Sequence, residues 1–359
     1  MKKIFFIGMA IITIAVSNFL LTSCSDKASQ PTIRTLSSVK LLSDESLGTP
    51  YHICVTDKYL ILGNMKSDTI LEVYTLNERK KINQFLLHGE GPGEMLLLSS
   101  IQYSKAGRCF YLSDVLKNLI YEVSESDIEK AHPNIKEIFR FQPEKLPKNA
   151  MIGGWQKFLS NGKMLASGAA PEGMLAYFNQ QMTEFSYYEA YPDKEKVNSE
   201  LTDRANIQLY ASCSAVSPDA EKLAVACYGA DVIGFARLDG NGLKTKFVKA
   251  QYPNDIYVEH FDSENVQAAF TKESLRHYAW VTASDKKVYA LYSGKKERDC
   301  ARGLMRGNEV RCYDWDGNLL EKMKLDCEVL QIAISPDNQY LFAVSESPGT
   351  GYSILKYEL

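Results

Sequence analysis

The 359-residue chain carries 41 Lys and Arg against 44 Asp and Glu, a formal net charge of −3, so it lacks the basic surplus of a nucleic-acid-binding protein. Aromatic residues make up 11 %, with 21 tyrosines, which suits sheets and carbohydrate- or peptide-facing surfaces. Beyond the N-terminus no apolar run approaches membrane-spanning length, and the chain is long for one ordinary domain but normal for a closed ring of sheets.

Met1-Lys2-Lys3 precedes an apolar core from Ile4 to about Val16 and then small residues before a cysteine, the order of parts in a secretory signal. Leu21-Thr22-Ser23-Cys24 matches the lipobox of bacterial lipoproteins. That resemblance implies a signal peptide over 1–23, cleavage before Cys24 and acylation of its thiol. Residues 24–31 read as a polar tether, so the protein is expected in the cell envelope, held to a membrane by its N-terminal lipid. Ser25 stands where an aspartate would retain an enterobacterial lipoprotein in the inner membrane. The outer membrane, on its periplasmic or surface side, is therefore the expected destination.

Apart from Cys24, seven of the eight cysteines remain: Cys54, Cys109, Cys213, Cys227, Cys300, Cys312 and Cys327. An odd number leaves at least one thiol free in an oxidising compartment. No C-x-x-C occurs, and several of these cysteines sit inside apolar strands, where the side chain behaves as a small hydrophobe. Cys213 and Cys227 lie seven residues either side of Ala220 in a predicted hairpin. Facing each other directly, they would fall within disulfide range. They are the first candidate pair.

Six times the chain repeats an apolar strand, a tight polar turn and a second apolar strand, the mark of a repeat architecture. The first three hairpins read YHICVTDKYLILGN from Tyr51, IQYSKAGRCFYLSD from Ile101 and GWQKFLSNGKMLASG from Gly154. The others read CSAVSPDAEKLAVACY from Cys213, YAWVTASDKKVYALYS from Tyr278 and LQIAISPDNQYLFAVS from Leu330. Their turns are built from Ser-Pro-Asp, Ser-Asn-Gly, Lys-Ala-Gly or Ala-Ser-Asp, all turn formers. Two more strand candidates follow each of the first five hairpins. In the fourth and fifth units these are joined at Asp239-Gly240-Asn241-Gly242 and Asp316-Gly317-Asn318, strong hairpin signals. The sixth unit has one strand left, YSILKYEL. Four strands per unit and six units predict an all-β, six-bladed β-propeller over 32–359 with four-stranded antiparallel blades. The missing strand is supplied by Thr32 to Asp44, TIRTLSSVKLLSD, which closes the ring and removes its open edges.

Between the first two units lies QFLLHGEGPGEM, Gln84 to Met95. A phosphate-binding loop would open a helix, but a strand follows and no Gly-Lys-Ser/Thr is present. The glycines and Pro92 are read as a sharp blade junction. Together with IQYSKAGRCFYLSDVLKNLIYEVS, this junction is similar to the NHL-type repeat, with Asp114 and Asn118 at that repeat's Asp and Asn. A GxGPGEF junction, here with Met95 for Phe, resembles the TolB-like six-bladed propeller lipoproteins of Bacteroidetes. The Ser-Pro-Asp turns of units four and six resemble the TolB and WD-type blade turn. The resemblance implies the fold and the envelope location and says little about ligand.

Loop lengths predict the working face. Short turns crowd one face, while the other collects the crossovers Glu144 to Met151, Pro192 to Gln208 and Pro253 to Arg276, and the loop Gly294 to Asn308. Long loops on a rigid scaffold are where binding concentrates. Candidate ligand-binding residues there are Trp155, Tyr210, Tyr228, Arg298, Arg302, Arg306, His260 and Glu90, a mix suited to a protein, peptide or glycan. Tyrosine and tryptophan at these positions are equally suited to filling blade junctions.

Catalytic signals are thin. The five histidines show no metal-ligand spacing and no G-x-S-x-G elbow occurs. His260 lies between Glu259 and Asp262, an acidic neighbourhood that on a loop faces water. Six-bladed lactonases of the gluconolactonase type hold Ca²⁺ at the axis through Glu, Asn and Asp, and the nearest analogues here are Asp114 and Asn118. The expected function is a binding or scaffold module without a cofactor. A metal-dependent lactonase or hydrolase, and an envelope assembly factor, are the alternatives.

Overall fold

Successive side chains of a strand leave it on opposite faces, and in this chain both faces are apolar. Leu60, Leu62 and Tyr74 of the first blade pack toward the sixth, whereas Ile61, Val73 and Phe85 pack toward the second. A sheet buried on both faces needs a neighbour on each side. The chain meets that need with a ring of six sheets. The computed structural model describes residues 32–43, 47–91, 93–146, 156–261, 266–300, 305–347 and 351–359.

The blades occupy 50–95, 98–140, 157–188, 212–251, 275–329 and 331–358. Each of the six blade-to-blade seams holds its own apolar cluster. Side chains such as Leu62, Ile70, Val288 and Leu341 are completely buried in them, each contributing about 1.5–3 kcal/mol. The inner strands of blades four, five, six, one and two pack in succession round the axis. Blade three has an inner strand of only Lys157–Phe158 and meets blade four through its second strand, Met164–Ala170.

A hydroxyl closes the first turn of five blades. Oγ1 of Thr56 and Oγ of Ser104, Ser217, Ser284 and Ser335 each accept a backbone N–H from their own turn. That is why the repeat carries Ser or Thr at this point: a short hydroxyl side chain satisfies turn donors the ladder leaves free. In blade three Leu159 takes the equivalent ladder position, its N–H donating to Lys163 O at 2.9 Å.

The N-terminal segment closes the ring in a different way from the single strand expected. Ser38–Ser43 pairs antiparallel with the last strand, Gly351–Glu358, completing blade six. Thr32–Leu36 instead runs parallel to Leu319–Val329 and adds a fifth strand to blade five. The change of partner falls at Ser37. Blade one is also five-stranded, through the two-residue strand Glu94–Met95.

The Cys213–Cys227 pairing is corrected by the register. Cys213 opposes Ala226 and Cys227 opposes Ser212, so the two thiols leave the sheet on opposite faces. Cys213 enters the seam between blades four and five, and Cys227 the cluster beneath the preceding crossover. The turn is centred between Asp219 and Ala220, half a residue from the symmetric position, and a one-residue slip reverses every side chain. All seven described cysteines are free thiols.

The crossover segments fall on one face and carry structure of their own. The helix Asp203–Leu209, capped by Thr202, ends the third crossover, and the hairpin Ile256–His260 with Val266–Phe270 fills the fourth. The loop expected from Gly294 is shorter, because the strand Lys287–Lys296 runs into it.

Candidate functional site

The six inner strands surround a cavity of ≈ 120 Å³ on the ring axis. Two residues inward from the turn positions just described, the ladder brings Cys54, Gln102, Lys157, Ala215, Thr282 and Ala333 to one level of its wall. Lys157 is the one charged side chain at this level. The next level is largely aliphatic, with Ile53, Ile101, Val281 and Ile332 beside Ser214. The outer end of the lining reaches Asp57, Lys105, Pro218 and Pro336, in the first turns of their blades, where Asp57 and Lys105 are exposed. The mouth therefore lies on the face of the short turns.

Two polar side chains fix the wall. Gln102 donates from Nε2 to Phe158 O at 2.8 Å and accepts the Phe158 N–H on Oε1 at 3.0 Å, which pins the short inner strand of blade three beside its neighbour. His52 Nε2 lies 3.1 Å from Leu98 O. Since a carbonyl only accepts, that nitrogen carries the proton. Burial lowers the imidazole to about 3, opposed by the Leu98 bond and aided by the Lys157 charge, so His52 is neutral. Trp280 lies 5.7 Å from its ring. Register shifts flank Tyr278 in the inner strand of blade five, and bulges of this kind re-aim side chains.

Lys157 is 4 % exposed. Its ammonium has no hydrogen-bond or ion-pair partner among the described residues. Burial pushes it down to about 8, partly offset by the Cys54 and Cys213 thiols. Those thiols are themselves pushed up to about 12 by burial and are poor nucleophiles. Ser214 Oγ is buried without a hydrogen-bond partner.

Of the described residues expected to bind ligand, none lines this cavity. Tyr210 is fully buried against Tyr191 under the helix Asp203–Leu209, its hydroxyl unpartnered. It fills a junction. Tyr228 is half-buried at the crossover end of blade four, and burial raises its hydroxyl well above the usual range. His260 is exposed, 3.8 Å from Glu200, and Glu90 is exposed in the first junction. Arg298 pairs with Glu273 and Arg306 with Glu346, so both guanidiniums already hold carboxylates of this chain. Trp155, Arg302, Asp262 and Cys24 lie outside the described residues.

Asp114 and Asn118 belong to the junction. The Asp114 carboxylate accepts the backbone N–H groups of Leu96, Leu97, Leu116 and Lys117 at 2.7–3.3 Å, and Asn118 takes a left-handed conformation at φ 56°. Lys117 Nζ donates to Glu94 O at 2.9 Å across the same bend. This explains the Asp–Asn pair as turn chemistry and leaves it unsuited to a cation. Among the described residues, no three His, Cys, Asp or Glu side chains cluster to hold a metal.

Lys157 had a signal in the sequence. Aligned on the turn serine, GWQKFLSNG matches Ser160, which puts Phe158 at the channel level. Aligned on the ladder, Leu159 takes that place and Lys157 replaces the uncharged residues of the other five blades.

A six-bladed, all-β ring with a lined axial channel defines a β-propeller, a fold that suggests a binding or scaffold module. The family described as TolB-like 6-blade propeller-like matches residues 28–337, and the chain belongs to it. Among solved structures it is similar to a DUF4221-family protein from Bacteroides vulgatus, at 10 % identity and a TM-score of 0.57, covering 92 % of this chain and 98 % of that one. It is also similar to a Bacteroides fragilis protein described as exported, at 11 % identity and a TM-score of 0.52, covering 91 % and 98 %. These likenesses bear on the fold. A comparison with curated proteins finds no match. No helix among the described residues is long and apolar enough to cross a membrane.

Proposed function

We propose that the protein is a lipid-anchored binding module of the cell envelope that receives a small ligand, or the tip of a larger one, in its axial channel. The observation that carries this reading is the axial cavity: a preformed concavity with aliphatic walls and a few converging polar groups, the usual make-up of a ligand site. It moves the working face from the crossover loops to the short turns. The anchor rests on the Leu21-Thr22-Ser23-Cys24 motif, and the exported description of a structural neighbour is in keeping with it.

Fragment screening by NMR tests the channel. Hits should be lost in Ala215→Phe, which enlarges a half-buried residue of the channel wall, and kept in a variant of the exposed Glu90. Hits that ignore Ala215→Phe would place binding elsewhere. For the anchor, Cys24→Ser is expected to abolish palmitate labelling and move the protein from the membrane to the soluble fraction. Unchanged fractionation and labelling would remove that part of the reading.

A second reading has one observation in its favour. Tyr257 and Phe261 are 52 % and 57 % exposed on the crossover hairpin, a small apolar site for another envelope protein to contact.

A further inference from the structure

An ammonium enclosed by protein without a counterion is held at a cost in stability, and nothing in the fold of blade three requires a lysine at position 157. Its N–H and C=O serve the ladder with Leu165, which any residue supplies. The neighbouring wall is aliphatic, and Ser214 Oγ adds a second buried polar atom with an unmet hydrogen bond on the same channel. A cation and a hydroxyl, both short of acceptors and both lining one cavity, together call for a negatively charged group.

We propose that the axial channel binds a carboxylate carried on a short apolar stem, with the Lys157 ammonium as its counterion. This rests on reading the channel as a ligand site. One ammonium balances one carboxylate. A dianion such as phosphate would bring a second charge into a wall of Ile53, Ile101, Val281 and Ile332 with no second buried cation to meet it, and an unpaired buried charge is strongly disfavoured. Lys105 stands only at the exposed mouth, where Asp57 offsets it. Size points the same way. A cavity of ≈ 120 Å³ is well below the roughly 300–1,000 Å³ of pockets that enclose drug-sized ligands, so only a few heavy atoms reach past the mouth.

Binding of this kind is linked to protons, because only the ammonium attracts the anion. The titratable groups facing it are the Cys54 and Cys213 thiols, both pushed up to about 12, and the His52 imidazole, lowered to about 3; the Tyr103 hydroxyl, also pushed up to about 12, stands toward Glu125 and Asp57. Asp57 and Lys105 follow at the mouth. Of the groups within the channel only Lys157, at about 8, changes charge between pH 7 and 9.

The test uses the full soluble chain from residue 25 with butyrate as probe, butyramide as its uncharged counterpart and inorganic phosphate as the dianion. Calorimetry or chemical-shift titration at pH 7 should show butyrate binding at least tenfold more tightly than butyramide. Lys157→Met should remove that preference. Affinity for butyrate should be flat between about pH 6 and 7, above the range in which a carboxyl group protonates, and fall about tenfold per pH unit above the Lys157 midpoint. Equal binding of butyrate and butyramide, or an unchanged preference in Lys157→Met, overturns the proposal while the channel remains a ligand site. Failure of both probes to bind overturns the proposal together with the reading of the channel as a small-ligand site. Phosphate binding more tightly than butyrate overturns the carboxylate assignment.

Discussion

Lys157→Met is expected to make the folded protein more stable at pH 7, by about 3 kcal/mol, since each tenfold change in proton affinity is worth ~1.4 kcal/mol. In the unfolded chain this lysine titrates near 10.4, whereas in the channel burial lowers it to about 8. Below pH 8 the ammonium is charged in both states, so the folded protein bears the full penalty of enclosing it. Between pH 8 and about 10.5 the folded state releases the proton first, and stability from this group rises with pH. Above that window the penalty is gone. Urea unfolding of parent and variant should therefore differ most at pH 6–7 and converge near pH 10.5. A variant less stable than the parent at pH 7 would mean that the ammonium is already paired.

The second large effect is expected at the ring closure. Deleting residues 32–43 strips the outer strand from blade six and the fifth strand from blade five in one step. Asp326 then loses the Ser38 N–H and Oγ bonds, at 2.7 and 3.0 Å, that tie the segment to blade five. The open edge of Gly351–Glu358 becomes a template for pairing with other chains. The loss should reach about 5 kcal/mol or more, comparable with the whole stability of an ordinary domain, and be accompanied by aggregation. Thermal unfolding and size-exclusion chromatography check it. A truncated chain that stays monomeric and as stable as the parent would show that the ring closes without this segment.

Much of the fold was legible because the blade repeats its own chemistry. The hydroxyl at Thr56, Ser104, Ser217, Ser284 and Ser335 closes a turn each time, and such local chemistry is written in local sequence. What crosses between units was harder to read. Residues 32–43 looked like one strand because their β-forming pattern runs through Ser37, and only the positions of two blades decide where the segment changes partner. The Cys213–Cys227 register failed on half a residue of turn geometry, since Ala220 takes φ 56° and shifts the centre of the hairpin. Loop length drew attention to the crossover face, yet Arg298 and Arg306 there are engaged by Glu273 and Glu346. The channel depends on six strands meeting at one axis, and no single strand announces it. Lys157 was further masked by the short inner strand of blade three, whose turn serine stands one residue late.

The carboxylate assignment turns on Lys157 being a buried, unpaired ammonium able to take a carboxylate. NMR titration of its side-chain resonances in lysine-labelled protein, assigned by their loss in Lys157→Met, measures this directly. The expected result is a midpoint near 8 in the free protein and a higher one in saturating butyrate. A midpoint close to the ordinary lysine value of about 10.4 in the free protein, unmoved by butyrate, would contradict it.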